Sequence, residues 1–221
     1  AQPSFGHGTH VAGLLALVAP EAKILPLRIL DAQGMGNAWV LAEAMLHAVD
    51  PDGDPRTDDG AHVINLSLGT RAKTQLFKAV AKLVSCKQDK DDKDDDDDAI
   101  DDASTNDKLR CQAFGGAVVV AAAGNQGSAT TREYPAAEKS PALLSVAATD
   151  RQGRLSRFSN RGWVKIAAPG EDITSTVPGG GYATWSGTSM AAPFVSGAAA
   201  LRRAVEPGWS AGKVVKHMRD R

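Results

Sequence analysis

The sequence has 221 residues, of which 43% are apolar and 23% are charged, and its formal net charge is −1. These values are typical of an ordinary soluble globular protein and favour neither a nucleic-acid partner nor a membrane. No apolar run approaches the roughly 18 residues of a membrane-spanning helix, and the length suits one α/β domain. The chain begins at Ala1 without an initiator Met, so we expect its natural N-terminus to lie upstream.

Charge is unevenly distributed along the chain. Residues 87–107 contain 11 of the 26 acidic residues and three of the 25 basic ones, which leaves 22 basic and 15 acidic residues elsewhere. An Asp/Lys tract of low complexity repels itself and has almost no apolar side chains to bury. We therefore predict a solvated acidic insertion at 87–107 within a single domain that extends over 1–221.

Apolar runs rich in β-branched residues alternate with helical patterns. In chain order, the predicted elements are a strand at 23–30, a helix at 39–49, a strand at 63–68, a helix at 75–86, strands at 117–122 and 143–148, and helices at 189–205 and 210–219. Such alternation predicts a mainly parallel sheet. Because strands and helices are both rich in Ala, Val and Leu, we expect helices on both faces of that sheet.

An aspartate-rich loop lies between the helix at 39–49 and the strand at 63–68. We predict that its candidate calcium ligands are Asp50, Asp52, Asp54 and Asp58, with Asp59 beside them. Calcium prefers oxygen ligands gathered on a sharp turn, which Gly53 permits. A solvated acidic loop without a metal is the competing interpretation, and the sequence leaves both open.

The two cysteines, Cys86 and Cys111, stand on either side of the acidic insertion. A disulfide between them would close the insertion at its base, as is common in secreted proteins. Two buried thiols are the alternative, because connectivity depends on geometry that the sequence does not contain.

Three short motifs contain the residue types that acyl transfer needs. They are Gly-His-Gly-Thr-His-Val-Ala-Gly at 6–13, Ala-Ala-Ala-Gly-Asn-Gln-Gly at 121–127 and Gly-Thr-Ser-Met-Ala-Ala-Pro at 187–193. Acyl transfer requires a nucleophile, a base that accepts its proton, and donors aimed at the developing oxyanion. Ser189 opens an Ala-rich helical pattern, where the orphan N–H groups of a helix N-terminus favour negative charge.

Each motif also has a structural alternative. Ser189 would be a capping serine, Asn125 a turn residue, and the pair His7 and His10 two ligands of a zinc ion at helical spacing. The metal interpretation is weakened because no Glu follows His7, and Gly8-Thr9 separates the two histidines.

Together, the three motifs resemble the subtilase family of serine proteases, and they occur in the family's order from His7 to the C-terminal helix. The resemblance implies a three-layer αβα fold and a serine endopeptidase that works through an acyl-enzyme on Ser189. It implies that His7 is the general base and that the Asn125 amide and the Ser189 N–H form the oxyanion hole. His10 would be a buried structural histidine behind the substrate cleft.

The resemblance also implies substrate-binding segments. They are Ser67, Leu68 and Gly69 on one wall of the primary specificity pocket, Ala122, Ala123 and Gly124 on the opposite wall, and Leu30, Gly34 and Gly36 in a second substrate-binding segment. Exposed backbone beside glycines can pair with an extended peptide. Walls of Leu and Ala predict medium to large apolar side chains before the scissile bond. Tyr134-Pro135 matches a position where the family often has a cis proline.

For such a protease we expect protein or peptide substrates, no nucleic-acid or membrane partner, and a propeptide in the precursor. The chemistry needs no cofactor, and calcium would be structural only. By the same resemblance we expect an extracellular location, although no signal peptide is visible in the sequence.

The sequence departs from the family at its beginning. The triad aspartate of the family lies in an Asp-Ser/Thr-Gly motif some tens of residues before the histidine, and only six residues precede His7 here. We therefore expect an N-terminally truncated domain that lacks strands of the sheet, exposes strand edges and is nearly inactive alone. The alternative is a peptide-binding pseudoprotease. An esterase or lipase is disfavoured because no Gly-x-Ser-x-Gly motif surrounds Ser189.

Overall fold

The computed structural model describes residues 5–86, 111 and 115–220. The helices described there are α1 (His7–Val18), α2 (Ala38–Val49), α3 (Gln75–Val84), α4 (Thr188–Val205) and α5 (Ala211–Arg219). The strands are β1 (Val63–Leu66), β2 (Val118–Ala122), β3 (Leu143–Thr149), β4 (Ile166–Pro169), β5 (Ile173–Val177) and β6 (Gly181–Trp185).

The central sheet is parallel and has the order β1-β2-β3-β4. Of its two inner strands, β2 consists of Val and Ala and is buried along its whole length, and β3 is Leu, Val and Ala apart from Ser145 and Thr149. A strand that is buried on both faces reads as a continuous apolar run instead of an alternating one. The composition of β2 and β3 is therefore the direct cause of their interior position.

Helices cover both faces of the sheet. Val119 and Ala121 of β2 belong to an apolar cluster with residues of α2 and α3. The neighbouring residues Val118 and Val120 point to the other face and pack with residues of α4 and α5. All four side chains are fully buried. The predicted three-layer αβα fold with a mainly parallel sheet is confirmed.

Helix α1 lies outside the sheet, between α4 and the antiparallel hairpin β5–β6. The close approach to α4 depends on Gly197, because a Cβ there would come within 2.6 Å of Val18 Cβ. The hairpin holds the other side, since Ser175 Oγ donates to the His10 carbonyl at 2.8 Å and Thr176 Oγ1 donates to the Thr9 carbonyl at 3.2 Å. The hairpin thus holds the first turn of α1, and α4 packs closely against its last residue.

The predicted strand at 23–30 is wrong. This segment forms no ladder in the described part of the chain, and only an isolated bridge joins Leu30 to Gly36. Ile24, Leu25 and Leu27 are 40%, 47% and 37% exposed. An apolar, β-branched run favours a strand, but a strand also needs a neighbour for its backbone hydrogen bonds. No described strand lies beside this run or beyond the outer edge of β1.

Cys86 and Cys111 form a disulfide with their Cα atoms 5.4 Å apart, which resolves the choice that the sequence left open. The predicted acidic insertion at 87–107 lies outside the described residues. Among the helices that the structure describes, none is long and apolar enough to cross a bilayer.

Candidate active site

Ser189 lies in the first turn of α4, and its position is set by small residues around it. Gly187 precedes the helix, and Ala191 and Ala192 are fully buried against the sheet. Pro193 stands inside the helix and cannot donate to the Ser189 carbonyl four residues before it, which accepts from Ser67 Oγ instead. The backbone amides of a helix start point outward and favour negative charge beside the serine.

Ser189 is also tied to the segment that follows β1. Its Oγ donates to the Ser67 carbonyl at 3.2 Å, and Ser67 Oγ donates in return to the Ser189 carbonyl at 2.8 Å. The parallel strand β1 ends just before Ser67, so its carboxyl end brings the predicted pocket wall next to the serine. The Ser189 hydroxyl hydrogen therefore points to the Ser67 carbonyl in this structure.

Asn125 follows β2, and hydrogen bonds fix the orientation of its side chain. Its Oδ1 accepts from the Thr188 amide at 2.8 Å and from Thr188 Oγ1 at 3.0 Å. Thr188 Oγ1 in turn accepts from the Gly124 amide at 3.1 Å. Because Oδ1 is held this way, Nδ2 is turned toward Gly187, where a Cβ would stand 3.4 Å from it. The amide therefore presents its donors beside Ser189.

His7 begins α1 and is half-buried. Gly6 precedes it with φ 84°, a left-handed conformation that suits glycine, and the Gly6 carbonyl accepts from the His10 amide at 2.9 Å. The His7 ring stacks with Trp185 at a centroid distance of 6.5 Å. Burial lowers the pKa of His7, and the nearby His10 lowers it further. A lowered pKa keeps the imidazole neutral at pH 7, the form in which it accepts a proton.

His10 is fully buried and lies flat against Trp185, with ring centroids 4.6 Å apart. Its Nε2 lies 3.1 Å from the Ala183 carbonyl, so Nε2 bears the proton and donates. Among the described residues, only one set of three or more His, Cys, Asp or Glu side chains lies close enough together to hold a metal ion, and it contains neither histidine. His10 thus packs as the resemblance implied, and the zinc interpretation has no third ligand there.

The three motifs meet at one cleft of about 560 Å³. It is lined by His7, Asn125, Thr184, Trp185, Ser186, Gly187, Ser189 and Met190. Sequence reasoning missed Trp185, which stacks on both histidines, and Thr188, which orients Asn125. Thr188 stands inside the Gly-Thr-Ser motif, so the motif itself was a signal for it. Trp185 had none, because its role depends on where the hairpin lies.

No carboxylate among the residues that the structure describes is hydrogen-bonded or ion-paired to His7. An imidazole that accepts a proton during catalysis becomes a cation, which a neighbouring carboxylate normally stabilises. The cleft therefore brings together the residues predicted to be the base, the oxyanion donor and the nucleophile, and the described residues supply no acidic partner for His7.

The subtilase family model matches residues 1–220. The chain belongs to the subtilase family. It is 40% identical over 206 residues to a thermophilic serine proteinase of Bacillus sp. (strain AK1), an alignment that covers 88% of this chain and 42% of that protein. It is 32% identical over 229 residues to subtilisin Savinase of Lederbergia lenta, with 99% of this chain and 71% of Savinase covered.

A solved structure is also similar to this subtilase chain. The crystal structure of a cold-adapted subtilisin-like serine proteinase aligns with a TM-score of 0.74 at 28% sequence identity. The alignment covers 98% of this chain and 68% of that structure. The chain thus spans about two fifths to seven tenths of the lengths of these three relatives.

The predicted substrate segments of the subtilase occupy two places. Ser67, Leu68 and Gly69 follow β1, and Ala122, Ala123 and Gly124 end or follow the neighbouring strand β2. Leu30, Gly34 and Gly36 form a separate turn, in which Leu30 pairs with Gly36 and Gly34 has φ 77°. None of these nine residues lines the cleft of about 560 Å³. The peptide bond between Tyr134 and Pro135 is cis.

The aspartates that lie close together in the structure are not the same set as the predicted calcium ligands. Carboxylate oxygens of Asp50, Asp52 and Asp59 lie within 4.8 Å of one another. Asp54 instead pairs with Arg56 at 2.9 Å, whose hydrogen bonds lower the pKa of that carboxyl, and Asp58 lies 3.5 Å from His62 Nε2. The structure therefore gathers Asp59 with Asp50 and Asp52 and leaves out Asp54 and Asp58. Asp50 Oδ1 is buried and has no hydrogen-bond partner among the described residues.

Proposed function

We propose that this subtilase is a serine endopeptidase, with Ser189 as nucleophile, His7 as general base and Asn125 in the oxyanion hole. The observation that carries the proposal is the meeting of these three side chains, from positions 7, 125 and 189, in one cleft at the start of α4. Subtilisin-like relatives that cover most of this chain support it.

The proposed reaction has two halves. The Ser189 hydroxyl turns from the Ser67 carbonyl toward His7, and Oγ attacks the peptide carbonyl carbon while His7 takes the hydroxyl proton. The oxygen of the tetrahedral intermediate accepts hydrogen bonds from Asn125 Nδ2 and from the Ser189 amide. His7 then gives the proton to the leaving amine, and the acyl-enzyme remains. Water repeats these steps in the second half and releases the acid.

The proposed reaction also needs an acidic partner for His7, and the described residues do not contain one. We assign it to an aspartate of a longer protein that precedes this chain. In serine-protease triads, that of subtilisin included, loss of the aspartate lowers turnover about 10⁴-fold. The chain as given is therefore expected to be nearly inactive, and the absence of an acidic partner is also what favours the alternative, a peptide-binding pseudoprotease.

A comparison of two proteins tests the function. The protein expressed from its complete gene is expected to hydrolyse peptide anilides and to react with a sulfonyl fluoride at Ser189, which mass spectrometry of the labelled peptide locates. The chain 1–221 is expected to show about 10⁴-fold lower turnover. Peptide binding without hydrolysis by the protein from the complete gene, and the same result for Ser189→Ala, would establish the pseudoprotease instead.

A structural calcium ion is proposed at Asp50, Asp52 and Asp59. Three carboxylates on a turn supply hard oxygen ligands, and the buried, unpartnered Asp50 Oδ1 would gain a partner. Binding to the folded state alone would raise the melting temperature as the calcium concentration rises. Asp52→Asn should abolish that rise, whereas Asp58→Asn should leave it intact. An unchanged melting temperature between EDTA and millimolar calcium would refute the site.

The proposed substrate is a protein or peptide that binds in an extended conformation. Its backbone would pair with segment 67–69 and with the second substrate-binding segment at 30–36, and the side chain before the scissile bond would enter the pocket between 67–69 and 122–124. An extracellular location is proposed because the relatives are subtilisin-like proteinases and because the Cys86–Cys111 disulfide suits an oxidising compartment. A propeptide in the precursor belongs to the same proposal.

A further inference from the structure

Glu133 places a carboxylate between the two predicted walls of the primary specificity pocket. A Cβ at Gly69 would come 2.7 Å from Glu133 Oε2, and a Cβ at Gly124 would come 2.7 Å from Glu133 Cδ. Any side chain on either glycine would therefore collide with this carboxyl group. The carboxylate fills the space that these two glycines leave between the ends of β1 and β2.

The backbone around Glu133 is held against the first wall. Thr70 and Tyr134 exchange two hydrogen bonds, from the Thr70 amide at 2.9 Å and from the Tyr134 amide at 2.8 Å. The Glu133 carbonyl accepts from the Ala137 amide at 2.8 Å. These bonds fix the Glu133 backbone beside the first wall, and so the point from which its side chain extends between Gly69 and Gly124.

The carboxylate has no cation of its own. No Lys, Arg or His among the described residues forms an ion pair with Glu133. The adjacent Arg132 is turned away, with its guanidinium 5.0 Å from the centroid of the Trp163 ring. Glu133 is half-buried, and a partly desolvated carboxylate interacts with a cation more strongly than an exposed one does.

We propose that Glu133 is a specificity-determining residue that selects Lys or Arg immediately before the scissile bond. The inference rests on the proposed endopeptidase function and names the substrate class of that same site. An ammonium or guanidinium that enters between Gly69 and Gly124 would pair with the carboxylate, as an acidic residue in the specificity pocket sets a basic preference in other serine proteases. Acidic substrate side chains would be repelled.

With Glu133 between the walls we expect basic substrate side chains, whereas the walls alone predict apolar ones. The walls would still contact the apolar part of the substrate side chain. Leu68, which is only partly buried, would still contact the methylene groups of a Lys or Arg side chain, whose charged end alone reaches Glu133. A large apolar side chain would bury the carboxylate without a partner, which is unfavourable.

The first experiment compares peptide anilides that differ only in Lys or Leu before the anilide, with the protein expressed from its complete gene. Wild type is expected to prefer Lys. Glu133→Gln should lower kcat/KM for the Lys substrate about 30-fold or more and raise kcat/KM for the Leu substrate, whose side chain no longer buries an unpaired charge. Glu21→Gln, which removes the same charge at an exposed position, should change neither. An unchanged Lys-to-Leu ratio in Glu133→Gln refutes the inference while the endopeptidase function stands.

A second experiment needs no turnover. The fluorescence of 4-aminobenzamidine, a small aromatic cation, reports its binding to an acidic pocket. Wild type is expected to bind it, and Glu133→Gln should bind about 30-fold more weakly or not at all. Equal affinities, or no binding to wild type, refute the inference. Binding that depends on Glu133 in a protein without hydrolytic activity would retain the cationic pocket and reject the proposed hydrolysis.

Discussion

Asn125 and Thr188 are joined by two hydrogen bonds, because Asn125 Oδ1 accepts from both the amide and the hydroxyl of Thr188. The two residues lie 63 positions apart in the sequence, one after β2 and the other at the start of α4. Their connection turns the Asn125 NH₂ group toward the cleft, so the oxyanion donor is oriented by a residue that does not itself contact the reacting atoms.

Thr188→Val should therefore weaken catalysis through Asn125. The substitution keeps the shape of a fully buried residue and the backbone hydrogen bond, but it removes Oγ1 from Asn125 and from the Gly124 amide. We expect kcat to fall about five- to tenfold, the effect of one lost hydrogen bond, with KM nearly unchanged. Asn125→Ala should lower kcat by about 10² to 10³.

Steady-state kinetics on one peptide substrate measure both effects. Thr130→Val, at an exposed position, is the matched control and should keep full activity. If Thr188→Val raised KM and left kcat intact, Thr188 would position the substrate instead of the oxyanion donor.

Glu138 is expected to make stability depend on pH. It is 6% exposed, its Oε1 has no partner among the described residues, and burial raises its pKa while Lys73 and Lys78 partly oppose the shift. A folded-state pKa above the unfolded one means that the folded state binds more protons between the two values. The contribution of Glu138 to the free energy of unfolding is therefore fully present below its unfolded-state pKa. It is lost as the pH rises through its folded-state pKa.

Glu138→Gln should consequently raise the melting temperature at pH 7 to 8 and have little effect near pH 4. Differential scanning calorimetry across that range measures the difference. Glu21→Gln, at an exposed position, should show no such pH-dependent gain. A variant that is less stable than wild type at every pH would show that the Glu138 carboxylate has a stabilising partner.

The Cys86–Cys111 disulfide should stabilise the chain mainly by restricting its unfolded state. The two cysteines are 25 positions apart, and closing a loop of that length is worth about 3 to 4 kcal/mol. The double variant Cys86→Ser/Cys111→Ser is expected to unfold at a correspondingly lower guanidinium concentration. Dithiothreitol should shift wild type to the same midpoint and leave the double variant unchanged; a reductant effect on the variant would rule out the disulfide as its cause.

Leu25 is expected to promote association of the chain 1–221. It is 47% exposed in an apolar segment without a strand partner, and β1 forms an open sheet edge in the described residues. Exposed edges and apolar runs of this kind favour aggregation. Leu25→Lys should reduce light scattering at high protein concentration. Val205→Lys, which changes a 69% exposed residue at the end of α4, should not, and equal improvement by both would point to net charge alone.

The three proposed catalytic residues could be singled out from the sequence because each stands in a short motif with a local structural cause. Ser189 is at a helix start, Asn125 is in a turn after an apolar strand, and His7 opens a helix with a glycine before it. Such features depend on neighbours within a few positions. The strands β4 to β6 escaped prediction because β4 has only four residues and because β5 and β6 mix polar with apolar residues, so their period is weak.

The prediction of a strand at 23–30 was wrong for a related reason. Its composition is that of a strand, but pairing is a property of two segments and needs a neighbour that the described chain does not place there. The calcium ligands differed in the same way, because the loop turns Asp59 toward Asp50 and sends Asp54 to Arg56. Spacing along the chain does not specify which carboxylates share a side of a loop.

The sequence by itself determined the fold class and the family and predicted which residues are the nucleophile, base and oxyanion donor, since periodicity and motifs are local properties of a chain. Only the tertiary structure decided that Thr188 orients Asn125, that Trp185 stacks on both histidines, and that the Glu133 carboxylate lies between Gly69 and Gly124. These are contacts between residues far apart in sequence. Parallel strands bring such residues together at one edge of the sheet, and no local pattern records that they meet.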